Sequence, residues 1–369
     1  MAFVYDSLSG VPKLICRPGL ARIREVSRMS TRFLRSAGTA AAIALFLAAS
    51  VSGQTPRTKR TKPTADQPEG QQIVPKSKPV PKDWKVPRTP WGHPDLQGIY
   101  SNSTIVPLER PANVTKTELS DEEIKKRFQE HRGRMFATRS GDPGFYNEFW
   151  WEWGHDVKRT ALIIDPPDAK LPWKPEAQAR AKSAMQPGLP GSWLDLDMLD
   201  RCISRSLPGT MMPGFYGHYY QILQTPTHIA LRMELLHDVR IIPLDNRPHV
   251  GKDIQQWLGD SRGHWEGDTL VVETTNMNSQ LARTTATFFS VGSDLKLTER
   301  FKIVDPDTID YQFTVDAPNE FTKPWTAAIP LWRTDEEIFE YACHEGNYAM
   351  PHTLSGARAD EAAATTGKR

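Results

Sequence analysis

Trp265-Glu266-Gly267-Asp268-Thr269-Leu270-Val271-Val272-Glu273-Thr274 decides the fold of this 369-residue chain. Glu266-Gly267-Asp268 carries turn chemistry, and it joins one extended run (Ile254 to Trp265) to the next (Leu270 to Thr275) closely enough for a hairpin. Asp305-Pro306-Asp307 repeats the device between Leu295 to Val304 and Thr308 to Val315. Tyr219 to Gln224, Ile229 to Leu236, Val239 to Leu244, Thr326 to Arg333 and Ile338 to Cys343 complete the series, all rich in Val, Ile, Tyr, Phe and Thr. Consecutive hairpins without helices between them predict a mainly β protein. The expected form is an antiparallel meander of eight or nine strands closing into a lipocalin-like barrel, because closure removes sheet edges; a β-sandwich is the alternative.

Upstream of the meander, residues 91–215 read as a helical and aromatic-rich irregular region packed on the barrel. Leu119 to Phe136 predicts a helix, with Ser120 as cap and Glu123 as its capping-box partner. Lys174 to Met185 predicts a shorter one, and between them lies the aromatic stretch Phe145 to Trp153. Residues 54–90 are rich in Pro, Lys and Thr and too poor in apolar side chains to offset their ordering entropy, which predicts a flexible leader. Trp84 and Trp91 are the exceptions, expected to lie against the folded body. The meander is expected to span 216–358, followed by a flexible tail at 359–369.

The segment Met29 to Gly53 has the build of a secretory signal. Arg32 and Arg35 precede an apolar core, Ala40 to Ala49, which ends in Ser50-Val51-Ser52-Gly53. The core is too short to span a bilayer as a helix, so the expected location is the periplasm or the exterior, without a stable membrane span. Residues 1–28 are either a mis-assigned start, with Met29 as the true one, or an extended leading region. The precursor carries 46 basic and 44 acidic residues; without the seven basic and two acidic residues of 1–53, 39 face 42. A mildly acidic product with no basic cluster gives no reason to expect a nucleic-acid partner. Cys202 and Cys343 are then the two remaining cysteines, expected to form one long-range disulfide in an oxidising compartment. Free thiols, or a metal site with His344, are the alternatives; no spacing specific to a metal supports the latter, and none is expected.

Five phrases have a recognisable wording: Trp91-Gly92-His93-Pro94-Asp95-Leu96-Gln97-Gly98-Ile99, His237 to Asp245, Trp257-Leu258-Gly259-Asp260-Ser261-Arg262-Gly263, Trp265 to Thr274, and Tyr341-Ala342-Cys343-His344-Glu345-Gly346-Asn347-Tyr348. They resemble a family of uncharacterised secreted bacterial proteins over most of residues 90 to 358. The resemblance implies secretion and implies no particular reaction.

Gly259-Asp260-Ser261-Arg262-Gly263 matches the GxSxG pattern of a hydrolase nucleophile elbow, but the residues after it lead to another turn and strand, not to the helix that the elbow requires. A Gly-rich turn is the preferred reading. A second cluster is Glu234, His237 and Arg240, where His exchanges a proton and Arg clamps an anion; a hairpin with surface ions is the plain alternative. Glu273, Arg300 and His344 are candidates to share a polar cavity if alternate barrel residues point inward. Arg201, His218 and Tyr220 add donors near the expected disulfide and the first main strand. Together these suggest a cavity for a small organic ligand with acid–base lyase, isomerase or hydrolase chemistry. In that scheme His237 or His344 works with Glu234 or Glu273, Arg240 or Arg300 holds the anion, and no cofactor is needed. A noncatalytic periplasmic ligand-binding protein and a cell-envelope structural or interaction protein are the competing classes.

Overall fold

The computed structural model describes residues 80–135, 152, 157–184, 191–214, 216–279 and 293–366. The signal-like segment, the leader up to residue 79, the aromatic stretch apart from Glu152, and residues 367–369 lie outside them.

Two-residue alternation builds the sheet locally. In β8 (Lys296–Asp305), Leu297, Glu299, Phe301 and Ile303 are buried while Lys296, Arg300 and Lys302 face water. In β9 (Thr308–Asp316), Ile309, Tyr311, Phe313 and Val315 turn to the same interior. The other strands are β1 (Gly98–Ser101), β2 (Ile163–Asp165), β3 (Tyr219–Gln224), β4 (His228–Met233), β5 (Val239–Pro243), β6 (Asp260–Glu266), β7 (Thr269–Thr275) and β10 (Trp325–Arg333). They form one antiparallel, barrel-shaped sheet in the order β5-β4-β3-β1-β10-β9-β8-β7-β6, with β2 also paired to β10.

Two meanders, β3 to β5 and β6 to β10, are thus joined through β1, whose Tyr100 pairs with Tyr220 on one side and Arg333 on the other. The sheet is nearly closed. At its seam β5 and β6 meet by side chains: Arg240 Nε donates to Ser261 Oγ at 2.9 Å, and Gly263 leaves room for Leu244 and Ile242. A Cβ on Gly263 would stand 2.7 Å from Leu244 Cδ2 and 2.9 Å from Ile242 Cγ2.

Both expected hairpin turns are present. Glu266 pairs with Thr269 around Gly267, whose φ is +58°, and Asp305 pairs with Thr308 while its carboxylate accepts the Asp307 N–H at 2.9 Å. Helix α1 (Asp121–Met135) starts with the Ser120–Glu123 capping box, its two bonds measuring 2.8 and 3.3 Å. Helix α2 (Pro175–Ala184) is the second expected helix. Trp84 and Val86 pack against the core, and Arg88 reaches Asp268 at 2.6 Å.

Three expectations along the chain need correction. The run from Ile254 becomes a strand only at Asp260, because Gly259 at φ +66° and the turn bonds of Ile254 and Gly259 hold 254–259 out of the ladder. Ile338 to Cys343 is not a strand; Cys343 N–H turns back to Tyr341 O, and the residue is fastened by its disulfide instead. The tail is helical as far as Thr366: Ala349–Thr366 forms α3, in keeping with the high helix propensity of its alanines, with Arg358 paired to Glu361.

Candidate functional site

Most of the charged residues singled out in the sequence do not converge. His237 and His344 are exposed. Glu273 pairs with Lys296 at 3.2 Å and Arg300 with Glu266 at 2.7 Å, both on the outer face, because alternation sends their neighbours Val272, Thr274, Glu299 and Phe301 inward. The Arg201 guanidinium stacks over the exposed Trp193 ring at 4.7 Å.

Arg240 does point into the barrel, but its charge is already answered. Its two terminal nitrogens bind the Glu299 carboxylate at 3.0 and 2.5 Å, one of them also donates to Thr274 Oγ1 at 2.6 Å, and Nε serves Ser261. Tyr311 donates to Glu299 Oε1 at 2.9 Å, so the carboxylate is satisfied as well. Burial and the Glu299 charge hold the Tyr311 phenol far above its ordinary range. This network leaves Arg240 no role as an anion clamp. It also explains Ser261, which lies in a strand with its hydroxyl committed to Arg240 and Thr274, not on an elbow. Next in the interior, Leu96, Ile222, Leu231, Ile242, Leu270 and Phe301 surround an apolar cavity of about 10 Å³, the size of a single water.

A different set of polar groups gathers where β1, β3 and β4 end. Asn102, just after β1, donates from Nδ2 to Met211 O at 2.7 Å and to Tyr220 Oη at 3.0 Å; Tyr220 in turn donates to Thr210 O at 2.8 Å. These bonds draw the irregular segment 202–212 onto the barrel end. Cys202 opens that segment and is bonded to Cys343, with Cα atoms 5.7 Å apart, so neither sulfur is available as a metal ligand. The same disulfide brings the stretch holding Phe339 and Tyr341 across this end, where Tyr341 Oη meets Tyr216 Oη at 3.3 Å.

Two carboxyls enter the cluster. Glu152 is anchored at the start of β3 by the N–H groups of Gly217 and His218, at 2.7 and 3.1 Å. Burial pushes its carboxyl up, against the pull of these two donors. Glu234 follows β4 in a turn where Leu236 and His237 both have φ of +59°, and its N–H donates to Tyr219 O at 3.0 Å. It is 9% exposed, and burial, with the charge of Glu152, pushes its carboxyl up to about 7 against the pull of the Phe339 backbone N–H.

His218 and Arg205 complete the group. His218 is fully enclosed, its ring lying where a side chain on Gly214 would stand; burial and the nearby Arg205 charge push its imidazole well below the usual range, so it is neutral. Arg205 is 8% exposed, and among the described residues no carboxylate is within ion-pairing distance of it. Buried atoms here without a hydrogen-bond partner among the described residues include Asn102 Oδ1, Ser103 Oγ, Arg205 Nε, Thr210 Oγ1, His218 Nδ1 and Glu234 Oε2.

Of the residues selected from sequence, the fold therefore brings together Glu234, His218 and Tyr220. Arg205, Glu152 and Asn102 escaped selection. Arg205 sits in an irregular stretch without periodicity, Glu152 is hidden among aromatics, and Asn102 lies in a polar run after a four-residue strand. The nearest signal was Cys202, three positions before Arg205, since the expected bridge had to place this stretch against the chain's end. No family model, no curated protein and no solved structure matches this chain.

Proposed function

We propose that the protein acts outside the cytoplasm and binds a small organic ligand at this end of the barrel, exchanging a proton with it through Glu234. One observation carries the reading: Tyr220 is bonded to Asn102 and feels the charges of Arg205 and Glu234, His218 feels Arg205, and each of these four residues has a buried polar atom without a partner among the described residues. Each such atom costs about 1–3 kcal/mol unless water or a ligand meets it, and their gathering at one end of the barrel supplies the polar contacts that a small ligand needs. Glu234, titrating near neutrality, exists as both acid and base at pH 7. Glu152, held by two backbone donors, and the neutral His218 flank it as further proton acceptors. That equipment suits a lyase, isomerase or hydrolase step that begins with proton transfer. The disulfide and the signal-like Met29 to Gly53 support the compartment.

The test is a thermal-shift screen of the purified, oxidised protein against small organic compounds at pH 7, with product detection by NMR for every hit. Hits should stabilise wild type and turn over, and Glu234→Gln should bind them with turnover lowered by about 10²–10⁴-fold. If every stabilising compound acts equally on Glu234→Gln and His218→Ala, with unchanged turnover, the site is elsewhere.

A further inference from the structure

We propose that Arg205 anchors a carboxylate of the ligand, so that the protein is selective for small organic monoanions over their neutral analogues. This rests on the cluster being a ligand site, and it adds the chemical class. A guanidinium cannot escape burial by losing its proton, so an enclosed Arg needs an anion. The chain meets that need elsewhere. Arg240, 3% exposed, has Glu299 at 3.0 and 2.5 Å, and Arg262 has Asp260 at 2.7 Å.

Arg205, 8% exposed, has neither arrangement; its Nε is buried and unpartnered among the described residues. The groups that sense its charge are three tyrosines (Tyr216, Tyr220 and Tyr341), His218, and Asp197. Asp197 lends its charge to Arg205 without an ion pair between the two, and its Oδ1 accepts the Leu199 N–H at 2.8 Å. A carboxylate matches the planar fork of the guanidinium. A phosphate dianion matches the cluster poorly, since one cation is offered and Glu152 and Glu234 share the same neighbourhood. The tyrosine rings supply apolar surface for the rest of a small organic acid.

The experiment compares acetate, propionate and benzoate with acetamide, propionamide and benzamide, and with inorganic phosphate, by thermal shift and titration calorimetry on the full oxidised chain at pH 7.5. At least one acid should stabilise wild type, bind more tightly than its amide, and lose about 30-fold or more in affinity in Arg205→Met. Arg205→Lys should keep the preference for acid over amide. Without ligand, Arg205→Met should melt at or above the wild-type temperature, because it removes a buried charge that has no ion pair among the described residues; a lower melting temperature or failure to fold would show that the protein itself supplies the counter-ion, and overturns the proposal. Equal binding of acid and amide, tighter binding of phosphate, no binding of any acid, or full acid binding by Arg205→Met also overturns it. In each of these cases neutral compounds that depend on Glu234 would leave the ligand site standing, and their absence would remove both.

Discussion

Two buried arginines stand in contrast at the scale of single residues. Arg240 is held by Glu299, Ser261 and Thr274 and contributes to the fold, whereas Arg205 is enclosed without an ion pair among the described residues. Glu299→Gln should therefore destabilise the protein by about 3–5 kcal/mol, measured by urea unfolding, because Arg240 is left buried without its charge partner. Replacing both residues by Met should recover much of that loss. Gly259 makes a second residue-scale prediction. At φ +66°, with a Cβ due 2.6 Å from Thr275 O, Gly259→Ala should lower the unfolding midpoint more than Gly263→Ala, whose clashes are with the ends of flexible side chains. The GxSxG glycines thus have backbone and packing reasons, and Ser261→Ala should cost stability of about 1 kcal/mol while leaving any turnover unchanged.

Among elements, the disulfide-linked pair of irregular stretches decides the site. Segment 202–212 delivers Arg205 and the carbonyl acceptors for Asn102 and Tyr220, and its partner stretch delivers Phe339 and Tyr341. Neither stretch has a regular ladder to hold it, so the cross-link and the Asn102–Tyr220 bonds position both. Replacing Cys202 and Cys343 by Ser should destabilise the protein by about 2–4 kcal/mol and weaken ligand-induced stabilisation, read as a smaller thermal shift than wild type gives. The strands behave differently. Their turns and alternation are local, which is why β3, β5, β7, β8, β9 and β10 stand close to where the sequence places them. Strand β1 was not legible, since four residues inside a Pro- and Gly-containing phrase carry too little pattern, yet it closes the sheet between β3 and β10.

For the whole molecule, the raised carboxyl of Glu234 links stability to pH. Its folded value, about 7, lies above the ordinary 4.5, so the folded state holds the proton more tightly; the stabilisation is present below about 4.5 and is lost as pH rises through 7. His218 has the opposite effect: its folded value is depressed, so stability is lost as pH falls below the ordinary 6.5. The difference in unfolding free energy between wild type and Glu234→Gln should therefore shrink between pH 5 and 8, with the wild type losing its advantage; a pH-independent difference would show that Glu234 is not buried as described. Sequence alone determined the mainly β architecture, the two hairpin turns, the α1 capping box and the choice of Cys202 and Cys343 as partners, because turns, period and caps act over a few residues and only two cysteines remain past the signal-like segment. Tertiary structure decided which charges matter. Glu273 and Glu299 are equally plausible as text, yet one faces solvent and the other the interior by strand parity; Arg205, Glu152 and Glu234 come within electrostatic reach of Tyr220 only because segments distant along the chain end near it. A charged residue's role depends on the dielectric and the partners around it, and segments remote along the chain supply both.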